Sequence, residues 1–255
     1  MHFETYARKK ELQEFNDKLA HYAKDYAQLK ILGEVDGHPI HHLVLNPKGG
    51  RTVCFVAGIH GDEIGGPYGV LAFMKQGMRI PENVRVEIVP LANPTGFIKR
   101  SRENNEGIDI NRKFYEEDLI EECKYVWRVV NKPEMECLHT LHEDLDLKTF
   151  YLYYTHHTSL AKGLRDEVAK KYFTIFGSEE RKPKPGEDHE LYSDKVYEGL
   201  IPLPHTKRNT VEDRILEQCG VPYITTETPG KATLRSRALC NRDIMKYVIH
   251  SFAEQ

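Results

Sequence analysis

Thr52-Val53-Cys54-Phe55-Val56-Ala57-Gly58 is an unbroken apolar run that ends in two small residues, and Ile59-His60-Gly61-Asp62-Glu63 follows it directly. A run with no polar alternation is the pattern of a central strand buried on both faces. Residues 63–75 then carry helical spacing, with Gly65, Gly66 and Pro67 near the start, and residues 84–89 form a second apolar strand that stops at Pro90. Strand, helix and strand in that order predict a parallel βαβ unit.

Working outward, the alternation continues. Residues 119–130 read as a helix, 135–141 and 150–154 as strands, 159–172 as a helix, 211–218 as a helix, 221–226 as a strand and 233–252 as a closing helix. On the amino-terminal side, 29–35 and 40–45 flank Asp36-Gly37, a hairpin signal. Residues 3–27 place Leu12, Phe15, Leu19, Tyr22, Ala23 and Tyr26 near helical spacing, which predicts an amphipathic helix packed on the body. Residues 177–206 are rich in Pro, Gly and charge and read as a loop that covers a cleft. The expectation is α/β, a mixed, mostly parallel twisted sheet with helices on both faces, in one domain over residues 1–255.

Composition sets the outer limits. With 255 residues, 40% hydrophobic and 29% charged, the chain has enough apolar matter for a large core and is not a disordered polymer. A net charge of -3 gives no basic footprint for nucleic acid and no attraction to anionic membranes. No apolar run approaches membrane-spanning length, and the opening Met1-His2-Phe3-Glu4-Thr5-Tyr6 lacks an apolar leader core, so a cytoplasmic location is expected. Cys54, Cys123, Cys137, Cys219 and Cys240 are odd in number and widely spaced, the pattern of reduced thiols.

Four segments carry chemistry. His60 and Glu63 lie three apart where a strand passes into a helix, and both can reach one cation; the bland reading of the same residues is a helix-capping turn. His142 ends the 135–141 strand and can supply a third ligand, whereas His139 lies inside the strand and is read as packing. The loop Arg102-Glu103-Asn104-Asn105-Glu106-Gly107-Ile108-Asp109-Ile110-Asn111-Arg112 offers an Asn–Arg fork for a carboxylate, and Asp109 can accept the N–H of a metal-bound histidine; the alternative is a solvated polar loop. Glu227, in Thr226-Glu227-Thr228-Pro229-Gly230, is a strand-end carboxylate suited to general base work, or else a surface glutamate before the last helix.

Taken in this order, the segments resemble the M14 zinc carboxypeptidases. His60-Gly61-Asp62-Glu63, Leu141-His142-Glu143-Asp144 and Glu227-Thr228-Pro229 look most like the small bacterial members, murein-peptide amidases among them, and the neighbouring succinylglutamate desuccinylase/aspartoacylase branch. The resemblance covers about residues 50–250 and implies a zinc carboxypeptidase-like α/β/α sandwich with one Zn²⁺ per chain, held by His60, Glu63 and His142. It implies Glu227 as general base and acid, Asn111 and Arg112 gripping the terminal carboxylate, Arg102 (with Arg100 in reserve) polarising the scissile carbonyl, and Asp109 orienting His60. The implied substrate is a small peptide, peptidoglycan-derived fragments included, or an N-acyl amino acid, in either case with a free carboxylate.

Two features depart from the digestive members. They carry Arg where this chain has Asp62, so a different substrate backbone or a free amine is expected there. Their active-site tyrosine has no firm counterpart; Tyr192 and Tyr197 are the candidates. Two rival readings stand beside the peptidase: a deacylase of N-acyl amino acids, and a non-catalytic ligand-binding module on the same fold. GxSxG, P-loop, GxGxxG and HExxH patterns are absent. His41-His42 and His156-His157 read as strand or loop residues, Lys207 and Arg208 as surface charges, and Arg235 and Arg237 as a solvated helix face.

Overall fold

The structure is a computed structural model that describes residues 2–177, 198–203 and 208–254. The apolar run that opens the sequence argument is β3 (Arg51–Ala57). Before it come α1 (His2–Ala23), β1 (Ala27–Val35) and β2 (His38–Leu45). After it come α2 (Gly65–Gln76), β4 (Val84–Val89), α3 (Pro94–Lys99), α4 (Glu121–Val130), β5 (Met135–Asp144), β6 (Tyr151–Tyr154), α5 (Thr158–Gly163), β7 (Leu200–Pro202), α6 (Val211–Cys219), β8 (Tyr223–Pro229) and α7 (Leu234–Ala253).

The strands form one sheet in the order β1-β2-β4-β3-β5-β8-β6-β7. The centre, β4, β3, β5 and β8, is parallel, and β6 and β7 are also parallel to each other. The β1/β2, β2/β4 and β6/β8 pairs are antiparallel, so the sheet is mixed and mostly parallel as expected. Core side chains divide between its two faces. Phe55 and Val53 of β3 pack with α1, α2 and α7, while Cys54 and Val56 pack with α4 and α6. Period-two alternation on a strand covered on both sides explains why β3 reads as a continuous apolar run.

The predicted amino-terminal helix forms and buries Leu12, Phe15, Leu19 and Ala23. Each large side chain among these contributes about 1.5–3 kcal/mol by leaving water. The helix stops at Ala23, and Tyr26 instead sends its hydroxyl to the Met74 carbonyl of α2. The closing helix starts where Thr233 caps it by accepting a hydrogen bond from Ser236 N at 3.2 Å. Two readings are adjusted. The loop read over residues 102–112 follows a short helix, α3, and ends in a 3₁₀ turn, Ile110–Arg112. The helix expected over 159–172 is broken into α5, a π turn at Leu164–Val168 and a 3₁₀ turn at Ala169–Lys171. Of the 177–206 segment, residues 198–203 are described and carry β7; Tyr192, Tyr197 and Lys207 lie outside the described residues. All five cysteines are free thiols, four of them buried. No helix among the described residues is long and apolar enough to cross a membrane.

Candidate active site and metal centre

In an open α/β sheet, loops gather at the carboxyl ends of the parallel strands. Here the ends of β3, β4, β5 and β8 meet around a cavity of about 600 Å³. The turn after β3 carries His60 and Glu63 and is pinned to the loop after β4. Asn93, fully buried, donates to the Ile59 carbonyl at 3.3 Å and caps α3 by accepting from Gly96 N at 2.8 Å. Gly61 is required in this turn, because a Cβ there would overlap the backbone of Gly96.

His60, Glu63 and His142 are buried and converge, with one ligand atom from each lying within 4.8 Å of the others. His60 Nδ1 lies 2.5 Å from Glu63 Oε1, and His142 Nδ1 lies 2.8 Å from Glu63 Oε2. The two imidazole centroids are 4.8 Å apart. His142 therefore shares its side of the sheet with His60, although β5 runs on past it to Asp144. Burial alone would raise the Glu63 pKa, but the two imidazoles more than offset this and hold the carboxylate well below its usual range.

Behind each imidazole stands a carboxylate. His60 Nε2 lies 3.4 Å from Asp109 Oδ1. Burial works against ionisation of Asp109, yet His60, Arg102 and Arg112 together keep it ionised. His142 Nε2 lies 3.5 Å from Oε1 of Glu212, a buried residue in the first turn of α6. Sequence reading did not single out Glu212. A glutamate in the first turn of a helix has an ordinary explanation in the helix dipole, and nothing local shows that this one turns inward.

The loop after β4 supplies the cations. Asn104 folds it by accepting from Glu106 N and Ile108 N at 3.0 and 3.1 Å, which brings Asp109 back to Arg102. Arg102 Nε donates to Asp109 Oδ2 at 2.9 Å, and its Nη1 lies 3.2 Å from His60 Nδ1. Arg102 lines the cavity. Arg100 does not: it donates to Glu11 at 2.5 Å and stacks 4.1 Å over the Phe97 ring, where it closes α3. Asp109 Oδ1 caps the 3₁₀ turn by accepting from Asn111 N at 3.0 Å, and the Arg112 side chain donates to the Asn111 carbonyl at 2.9 Å. The Asn111 side-chain oxygen accepts from Val211 N at 3.2 Å, leaving its amide as the donor.

Glu227 stands at the end of β8, opposite His142 in the parallel register and opposite Tyr151 on β6. It lines the cavity and makes no hydrogen bond to the described residues. Burial, with the charges of Glu63 and Asp144, pushes its pKa up to about 8 against the opposing pull of His142 and Arg102. Asp62 also lines the cavity; burial and the charge of Glu63 raise its pKa, and its Oδ1 is buried without a partner among the described residues.

Position also decides the readings of the neighbouring histidines and arginines. His139 points away from the cavity, beside the Phe55 ring and 3.2 Å from Thr226 Oγ1, and burial lowers its pKa to about 3. Arg237 is not on a solvated face; it is buried and donates to Glu143 Oε2 at 2.5 Å, while Arg235 is exposed. Glu143 also accepts from Gly65 N at 2.9 Å and from the Thr228 hydroxyl at 3.1 Å, so this pair braces the start of α2 against β5 and β8. Gly65 leaves room for that carboxylate, where a Cβ would collide with it. Arg208 lines the cavity with Tyr153 and Tyr223 instead of facing bulk solvent. His41, His42 and His157 are packed within the body, with His42 Nε2 3.0 Å from Glu87 and His157 Nε2 donating to the Glu136 carbonyl at 3.2 Å.

Residues 49–145 match the succinylglutamate desuccinylase/aspartoacylase catalytic-domain family. The M14-like resemblance holds. A crystal structure from Shewanella amazonensis SB2B, assigned as a metallopeptidase, is 25% identical with a TM-score of 0.80, over 95% of this chain and 94% of that one. A metallo-carboxypeptidase from Pseudomonas aeruginosa, in complex with (2-guanidinoethylmercapto)succinic acid, is 15% identical with a TM-score of 0.70, over 94% of this chain and 68% of that one. A succinylglutamate desuccinylase from Silicibacter sp. TM1040 is 17% identical with a TM-score of 0.58, over 89% and 67%. No curated protein matches the chain by sequence.

Proposed function

We propose that this chain is a zinc-dependent hydrolase that cleaves an amide next to a C-terminal amino acid, with small peptides, peptidoglycan fragments included, as substrates. One observation carries the reading: a buried cluster of two imidazoles and a carboxylate shares a cavity wall with an unbonded glutamate, Glu227, and with Arg112. The donor set fits the metal. Zinc accepts nitrogen and oxygen ligands at about 2.0–2.2 Å, and catalytic sites use three protein ligands. Charge fits as well. Glu63, Asp109, Glu212 and Glu227 crowd around the imidazoles, and of the arginines on the wall, Arg102, Arg112 and Arg208, only Arg102 comes within 4 Å of Glu63, so a dication is favoured there.

Bound at this site, zinc supplies Lewis acidity toward water and toward a carbonyl oxygen. The chain's own groups do the rest. Arg112 and the Asn111 amide bind the substrate's terminal carboxylate and set its register. Glu227 takes a proton from the attacking water and returns it to the departing nitrogen. A carboxylate on the cavity wall, opposite His142 in the ladder, is placed for both halves of that task. Arg102, held by Asp109, donates to the carbonyl oxygen as negative charge develops there, and such donors typically contribute about 2.7–4 kcal/mol.

The second reading is a deacylase of N-acyl amino acids, favoured by the family match over residues 49–145. One assay separates the readings. Metal content is measured, and the zinc-loaded protein is given a C-terminal dipeptide, a murein tripeptide, N-acetylaspartate and N-succinylglutamate, with a chelator-treated control. Zinc-dependent release of the C-terminal residue from the peptides supports the first reading. Preference for the N-acyl amino acids transfers the assignment to the second. A zinc-loaded protein inert toward all four leaves the non-catalytic module.

A further inference from the structure

The two imidazoles are treated alike. Each turns Nδ1 toward Glu63 and its opposite nitrogen toward a carboxylate: Asp109 for His60 and Glu212 for His142. Glu212 belongs to α6, an element that supplies none of the candidate metal ligands. Its place is fixed by three restraints on the first turn of α6. Thr210 caps that turn by accepting from Asp213 N at 3.2 Å, the Asn111 side chain accepts from Val211 N at 3.2 Å, and the Thr225 hydroxyl lies 3.5 Å from Glu212 Oε1.

A glutamate that served only the helix dipole would face solvent. Glu212 is 4% exposed, and its Oε2 is buried with no hydrogen-bond partner among the described residues. Burying a half-used carboxylate costs free energy that an apolar side chain or an outward rotamer would avoid. A compensating role is available at its other oxygen. If Nδ1 of His142 is the nitrogen that holds a metal, the ring proton must lie on Nε2, the atom that faces Glu212.

The geometry points to Glu212 as a positioning residue that fixes the tautomer and ring orientation of His142. Because Asn111 holds the same helical turn, α6 joins the grip on the substrate carboxylate to the orientation of a metal ligand. This inference rests on the metal-site reading of His60, Glu63 and His142.

The test uses the full chain and zinc alone. Competition against a chromogenic chelator gives the zinc affinity of wild type and of Glu212→Gln. The expected result is one zinc per chain in wild type and roughly 10–100-fold weaker binding in the variant. Affinity within twofold of wild type overturns the inference while leaving the metal site standing. A wild-type chain that binds no zinc overturns the inference together with the reading it rests on. Long-range ¹H–¹⁵N spectra of the zinc-loaded wild type supply a measurement that needs no variant to fold. They are expected to show His142 protonated at Nε2; a proton on Nδ1 overturns the proposal. A helix-capping role for Glu212 would change thermal stability and leave both readouts unmoved.

Discussion

His142 on β5 and Glu227 on β8 stand directly opposite each other in a parallel ladder, so the second imidazole of the cluster and the cavity glutamate are fixed by the same pair of strands. Neither depends on a loop for its place. Replacing Glu227 should therefore remove its chemistry without moving its neighbours. Glu227→Gln is expected to retain one zinc per chain by elemental analysis and to lower kcat by roughly 10²–10⁴-fold. Near-normal turnover would remove Glu227 from the role of base.

Arg112 is exposed and lines the cavity, and among the described residues no carboxylate lies at hydrogen-bond distance from it. Arg112→Met should leave metal content unchanged. A lost hydrogen bond to a charged group costs about 1.5–3 kcal/mol, so kcat/KM for a substrate with a free carboxylate should fall roughly 10–150-fold. Amidation of that carboxylate should erase the difference between wild type and variant. A variant that still discriminates the free acid from the amide would place the clamp elsewhere.

Away from the cavity, Glu87 is fully buried and meets His42 at 3.0 Å, Lys132 at 2.5 Å and Arg85 at 2.7 Å. Burial would raise its pKa, but the hydrogen bonds from His42 and Lys132 and the charge of Lys132 outweigh this and hold it down to about 2. A carboxylate depressed in the folded state stabilises the fold above its unfolded pKa, and that contribution is lost as pH falls from about 4.5 toward 2. Urea titrations at pH 7, 4 and 3 should show this loss in wild type. Glu87→Gln should be about 1–3 kcal/mol less stable at pH 7 and flatter below pH 4.5. Parallel acid limbs in the two proteins would contradict the assignment.

Phe15 on α1 packs its ring 6.1 Å, centroid to centroid, from both Tyr68 and Phe97. Phe97 lies in α3, at the head of the loop that carries Arg102. Phe15→Ala is expected to cost about 3–5 kcal/mol, read as a lower midpoint in denaturant with an unchanged slope. A loss below 1 kcal/mol would mean that the amino-terminal helix is not part of the cooperative core.

Much of the fold and of the candidate site is legible in the sequence because the candidate residues lie on the most regular part of the chain. β3 and β4 announce themselves as apolar runs, and His60, His142 and Glu227 follow from strand ends whose direction a parallel sheet dictates. What escaped depends on tertiary direction. Glu212 and Arg237 are charged residues near helix starts, a pattern shared by any solvated helix, and only packing turns them inward. Sequence put Arg102 first and Arg100 in reserve without a structural reason. The left-handed backbone at Arg100 ends α3 and sends that guanidinium toward Glu11, while Arg102 lines the cavity. β7 is three residues long, too short to register as a pattern.

The buried pair of Arg237 and Glu143 has a consequence for synthesis. His60, Glu63 and His142 have all been added to the chain by residue 142, yet the cation that steadies the end of β5 is added nearly a hundred residues later, in α7. A nascent chain thus holds the three candidate ligands well before it holds the brace behind them, and an ordered cleft waits until α7 is made and packs against β5 and α2.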